Sequence, residues 1–140
     1  MIVVDTNVVV RYAVKDDPEQ TRLATAFLQD NRCLLLPTVI LEMVWVLGSK
    51  RGYGLDSSTV AARIRHVAGL PTIEVGRSIE VAKALDWYKA GMDFADALHL
   101  ALAGEAIGLA NLDQAIRAAA DFPKLQDRVM LISSETQGGG

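Results

Sequence analysis

Met1-Ile2-Val3-Val4-Asp5-Thr6-Asn7 opens the chain with an apolar, β-branched run that stops at a carboxylate, a hydroxyl and an amide. β-branched residues favour strands, so the run reads as a strand with its charge at the carboxyl end. In an open α/β sheet that end is the rim where ligands bind, because the loops leaving neighbouring strands diverge there. Asp5 is therefore a candidate site residue. The structural explanation, an Asp that caps the next helix or opens a turn, stands beside it, and the rest of the chain has to decide.

Moving outward, Val8-Val9-Val10-Arg11-Tyr12-Ala13-Val14 admits two readings. Its β-branched content favours a strand, whereas a helix would carry the chain away from the rim at once. Asp16-Asp17-Pro18-Glu19 predicts a turn and a helix start, the helix running to about residue 30 with Leu23, Ala26, Phe27 and Leu28 inward. Cys33-Leu34-Leu35-Leu36 predicts a short buried strand stopped by Pro37, and residues 38–47 a strongly apolar helix ended by Gly48. Asp56 or Ser57 caps a helix over 59–68 whose Arg63, Arg65 and His66 make its outer side basic, and residues 72–75 alternate as a strand does. An amphipathic helix follows over 77–90, with Ile79, Ala82 and Leu85 inward, then an Ala- and Leu-rich helix over 93–106. Brief strands at 109–112 and 129–132 flank a short helix at 113–120. The alternation implies βαβ crossovers and a mainly parallel sheet. The expected organisation is one domain over 1–132 and a disordered tail over 133–140.

With 140 residues, 51% apolar and 22% charged, the composition is that of a globular chain. A net charge of -3 argues against coating nucleic acid by bulk positive charge. It leaves room for a metal-bridged nucleic-acid substrate or a basic partner. The single Cys33 rules out an internal disulfide and suits a reducing compartment. The start lacks a basic signal region, and no apolar run approaches the roughly 20 residues of a membrane span. These features predict a cytoplasmic protein without a membrane partner.

Glu42 is the sole polar residue of Val39-Ile40-Leu41-Glu42-Met43-Val44-Trp45-Val46-Leu47. A helix apolar on all sides is a buried helix, and Glu is almost never fully buried without a partner, so this carboxylate needs something to hold; a solvated helix edge is the alternative. Asp93 and Asp96, three apart, share a helix face, although capping by Asp93 would also explain that one. Asp113 repeats the strand-acid-helix order of Asp5 and has the same capping alternative. Acids gathered at one rim repel, so the cluster requires protonation or a cation. All-oxygen donors select Mg²⁺ or Mn²⁺, and no Cys/His spacing suits zinc. His99, inside an apolar helix, is expected to be structural, and His66 to lie on a basic exposed face.

Val4-Asp5-Thr6-Asn7, the lone Glu42 and Asp93-Phe94-Ala95-Asp96-Ala97-Leu98-His99-Leu100-Ala101 together resemble the PIN-domain family, and more narrowly its VapC-type toxins. The resemblance extends over residues 1–132 and implies a three-layer α/β/α fold with a mainly parallel sheet of about five strands. It puts the metal-binding and catalytic acids at Asp5, Glu42, Asp96 and Asp113, with Asp93 as a fifth contributor and Thr6, Asn7 and Asn111 in support. The family usually has Thr or Ser where this chain has Asn111. The implied activity is Mg²⁺- or Mn²⁺-dependent endoribonuclease cleavage by activated water, leaving 5′-phosphate and 3′-hydroxyl ends. The implied partners are an RNA substrate, a VapB-type antitoxin and a second copy in a homodimer, through the 38–47 helix with its Trp45 and the helix that follows it. The alternative from another class is a PIN-like module that binds RNA or protein without cutting. A response-regulator receiver is disfavoured because Pro37 follows Leu36 and Ser133 follows Ile132, where its phospho-acceptor Asp and its Lys would stand.

Overall fold

β1 (Ile2–Val3) pairs in parallel with β2 (Cys33–Leu35), Ile2 against Cys33 and Val3 against Leu34. β3 (Ile73–Val75) flanks β2 on its other side, with Cys33 against Ile73 and Leu35 against Val75. The computed structural model describes residues 1–104, 109–111 and 129–131. The predicted 113–120 helix, Asp113 and the 133–140 tail lie outside the described residues. The chain divides into two units, Met1–Ile79 and Glu80–Gly140. In the first, the order β1-β2-β3 puts β2 at the centre, where Cys33 and Leu35 are fully buried. Burial there pushes the Cys33 thiol pKa up.

The ladder runs one residue past β1, since the Val4 N–H donates to the Leu34 carbonyl at 3.1 Å. Asp5 keeps extended backbone angles (φ -85°, ψ 161°), and α1 (Thr6–Val14) begins at the next residue. The Val-rich segment is thus a helix. Thr6, Val9, Val10 and Ala13 form its buried stripe at helical spacing, and burying that stripe against α2 (Pro18–Asp30), α3 (Pro37–Gly48) and α4 (Ser57–Ala68) outweighs the modest strand preference of valine. α1 ends at Lys15, which adopts the left-handed conformation (φ 59°).

α2 starts as predicted, Asp17 accepting from the Gln20 N–H at 3.0 Å with Pro18 in the first turn. Its buried face is different: Ala24 and Leu28 are covered, whereas Leu23 (55%), Phe27 (36%) and Ala26 are exposed. α2 packs against α1, and one neighbouring helix covers only one edge of a broad apolar stripe. In α3, Pro37 opens the helix besides ending the strand. The helix buries Val39, Ile40, Met43, Val44 and Leu47 but leaves Thr38, Glu42 and Trp45 exposed. It is therefore not apolar-packed all round, and Glu42 stands on its open face.

The chain then folds back on the end of α3, Tyr53 N–H donating to the Val46 carbonyl at 3.0 Å and Leu55 N–H to that of Leu47 at 2.9 Å. These bonds satisfy carbonyls that a helix terminus leaves unpaired. A side chain at Gly52 would bring its Cβ to 1.9 Å from the Val46 oxygen, so only glycine fits. α4 is capped by Asp56, whose side chain accepts from the Thr59 N–H at 2.7 Å, and buries Val60, Ala61, Ile64 and Val67 with Arg65 and His66 outward.

α5 (Ser78–Lys89), whose first two residues close the first unit, buries Val81, Ala84 and Leu85. Ile79 is 76% exposed rather than inward, because the covered face is centred two positions further on. α6 (Phe94–Ala103) buries Phe94, Ala97, Leu98, Leu100 and Ala101. His99 is exposed, so it is not the packed residue its apolar surroundings predict. β4 (Leu109–Asn111) pairs with β5 (Val129–Leu131), Leu109 against Val129 and Asn111 against Leu131. Among the described residues, all five strands lie in parallel ladders, divided between a three-stranded and a two-stranded sheet. Among the described residues no helix is long and apolar enough to cross a membrane.

Candidate active site

Asp5 leaves the sheet and caps α1 with no residue between, its Oδ1 accepting from the Thr6 N–H at 2.8 Å. The next side chain continues outward from it. Thr6, nearly buried, donates its hydroxyl to Oε2 of Glu42 on α3. Two acids far apart in sequence are thus linked through one residue, by its amide on one side and its hydroxyl on the other. They share a cleft of about 360 Å³, lined also by Asn7, Arg11 and Tyr53. Glu42 is not buried in apolar surroundings: its partner is Thr6, and it faces this opening.

A second network walls the cleft. Arg11 Nη1 lies 3.0 Å from Asp16 Oδ1, and the Tyr53 hydroxyl donates to Asp16 Oδ2 at 2.8 Å. The Tyr53 hydroxyl first, and then the Arg11 guanidinium, hold the Asp16 carboxyl below its ordinary pKa. Sequence reasoning missed all three residues. Arg11 stands one turn beyond Asn7 on α1, a relation visible only once the Val-rich segment is known to be helical. Tyr53 sits in an irregular loop, and its position depends on the fold-back onto α3.

In the second unit, Asp93 caps α6, its Oδ2 accepting from the Asp96 N–H at 3.2 Å. Capping thus occupies one Asp93 oxygen, and Asp96 stands half-buried in the first helical turn. Asn111 ends β4. The structure brings Asp5, Thr6, Asn7 and Glu42 together in one unit and Asp93 with Asp96 in the other. Among the described residues, no three His, Cys, Asp or Glu side chains group closely enough to hold a metal ion.

A parallel α/β sheet whose first strand delivers an acid to its carboxyl rim, beside a second acid in an open cleft, defines a protein built to meet a ligand at that rim. The PIN domain model matches residues 2–121, and the chain belongs to the PIN-domain family. PIN domains are usually metal-dependent nucleases, so membership suggests a nuclease-type function. No curated protein and no solved structure matches the chain.

Proposed function

We propose that this PIN domain is a Mg²⁺- or Mn²⁺-dependent endoribonuclease, the VapC-type toxin of a toxin–antitoxin pair, hydrolysing RNA to 5′-phosphate and 3′-hydroxyl ends. The observation that carries the proposal is the Thr6 bridge, which holds the Asp5 and Glu42 carboxylates on one open cleft. These donors are all hard oxygens and fit Mg²⁺ or Mn²⁺ rather than a soft metal. Asp96 and Asp113, with Asp93, complete the proposed set, and Asn7 and Asn111 support it. A divalent ion held there would offset phosphodiester charge and lower the pKa of a water.

The chain's own groups prepare that site. Thr6 fixes the direction of both carboxylates, and Arg11, lining the same cleft, offers a guanidinium to a non-bridging phosphate oxygen through a charge-assisted bond. A small VapB-type antitoxin would close the acidic cleft with an Arg of its own. The exposed Trp45 on α3 supports a homodimer through that helix, and the composition suits a cytoplasmic setting.

A ribonuclease assay of wild type against Asp5→Asn, with and without Mg²⁺, tests this reading. Asn caps helices as well as Asp does, so the variant should fold while losing cleavage. A folded Asp5→Asn protein with full activity, or cleavage indifferent to chelation, would overturn the proposal. Asn111, in place of the family's usual hydroxyl, favours the second reading, a module that binds RNA or protein without cutting. That reading requires no cleavage by wild type under any metal condition.

A further inference from the structure

A cleft of about 510 Å³ lies between the end of α1 and the start of α4, lined by Lys15, Ser58, Thr59, Arg63 and His66. On α4, Thr59, Arg63 and His66 recur at helical spacing on one face. Arg63, Lys15 and His66 are each held in place by a neutral partner. Arg63 Nη1 donates to the Ala13 carbonyl. Lys15 Nζ sits 4.1 Å from the Tyr12 ring centroid and donates to the Tyr12 carbonyl at 2.8 Å. His66 stacks with Tyr12, planes 6° apart, and shares a 3.0 Å hydrogen bond with its hydroxyl.

The nearby acids are otherwise engaged. Asp16 holds Arg11 and Tyr53, Asp17 accepts from the Gln20 amide, and Asp56 accepts from the Thr59 amide. Among the described residues, neither Lys15 nor Arg63 pairs with a carboxylate. On a chain of net charge -3, two fixed cations converging on a concave, hydroxyl-lined surface without a counter-acid call for an external anion. The cleft lies at the opposite end of α1 from Asp5, about 15 Å away at 1.5 Å of rise per residue. One strand of nucleic acid can therefore reach both.

We infer that this cleft is a phosphate anchor for the RNA strand, in which Lys15 and Arg63 bind two neighbouring backbone phosphates away from the one being cut. The inference rests on the ribonuclease reading for its ligand and adds a site that the acidic rim does not contain. The anchor has no role in bond breaking; it holds the strand in register along α1.

The test is binding of a fluorescein-labelled, mixed-sequence single-stranded RNA in EDTA, followed by anisotropy across a KCl series. Lys15→Asn combined with Arg63→Gln removes both charges, and Asn tolerates the left-handed backbone of position 15. Affinity should fall roughly tenfold at low salt, and the slope of log K against log salt should shrink by about 1.4, the share of two phosphate contacts on a single strand. The charge-matched control Arg32→Gln with Lys83→Gln should keep the wild-type slope. If the double variant does not fold, Lys15→Asn alone should give half the slope change. Wild-type slope in these variants, an equal change in the control, or no RNA binding by wild type would overturn the inference. Binding that depends on Lys15 and Arg63 without any Mg²⁺-dependent cleavage would instead overturn the ribonuclease reading and leave the anchor standing.

Discussion

Replacing Thr6 by Val keeps the branched shape and removes the hydroxyl that donates to Glu42. A hydrogen bond to a charged group contributes about 1.5–3 kcal/mol. Glu42 is exposed, so water competes for its oxygens, and about 1 kcal/mol is the better expectation. In a domain of this size that corresponds to a melting shift of about 3–4 °C. The decisive measurement is a double-mutant cycle in urea: wild type, Thr6→Val, Glu42→Ala and the double variant. A coupling near 1 kcal/mol is expected, because the double variant loses the bond only once. Thr6→Ser, which retains the hydroxyl, should stay close to wild type. Additivity within about 0.3 kcal/mol would mean that the two side chains do not support each other in solution, and the case for Thr6 as the organiser of both acids would fail.

Gly52→Ala places a methyl group at 1.9 Å from the Val46 oxygen, so the loop must move; a loss of roughly 2 kcal/mol is expected, and an unchanged melting temperature would contradict the close approach. Tyr53→Phe removes the largest cause of the depressed Asp16 pKa. A depressed carboxyl pKa contributes stability that is present above the ordinary Asp range and is lost as pH falls through the folded value. The variant should therefore melt below wild type at neutral pH, with the gap closing in acid once Asp16 is protonated in both; a gap that persists there would point to a different cause. Mg²⁺ at about 100 times its dissociation constant should stabilise wild type by roughly 2.7 kcal/mol, and Asp5→Asn should blunt that rise in a calorimetric scan.

What could be read from the chain alone was what is local. Asp17, Asp56 and Asp93 cap their helices through bonds spanning three residues, and the strand-acid-helix order at Asp5 is written within seven residues. The Val8 to Val14 segment stayed open because strand preference and helical spacing are both present there, and only the neighbours that cover the stripe decide. Leu23, Phe27 and Ile79 are exposed where their spacing predicts burial, for a related reason: periodicity locates an apolar stripe but not the edge of what packs on it. The Thr6–Glu42 and Tyr53–Asp16 bonds join residues 36 and 37 positions apart, and no residue pattern near either end announces them. The apolar context of Glu42 marks it as a site residue but does not reveal its surroundings, since the helix has an open face.

The direct passage from Val4 through Asp5 into α1 also governs what changes of chain length this protein can accept. With Asp5 serving as the end of the ladder and the cap at once, there is no loop to absorb an insertion. One extra residue after Val4 would turn α1 by about 100° and swing the buried stripe of Val9, Val10 and Ala13 toward solvent. Shifting the pairing register instead would send Val4 to the opposite face of the sheet. Substitutions here can be graded in their effect, whereas insertions and deletions are all-or-none. A library that varies length at this junction should therefore return only the original spacing.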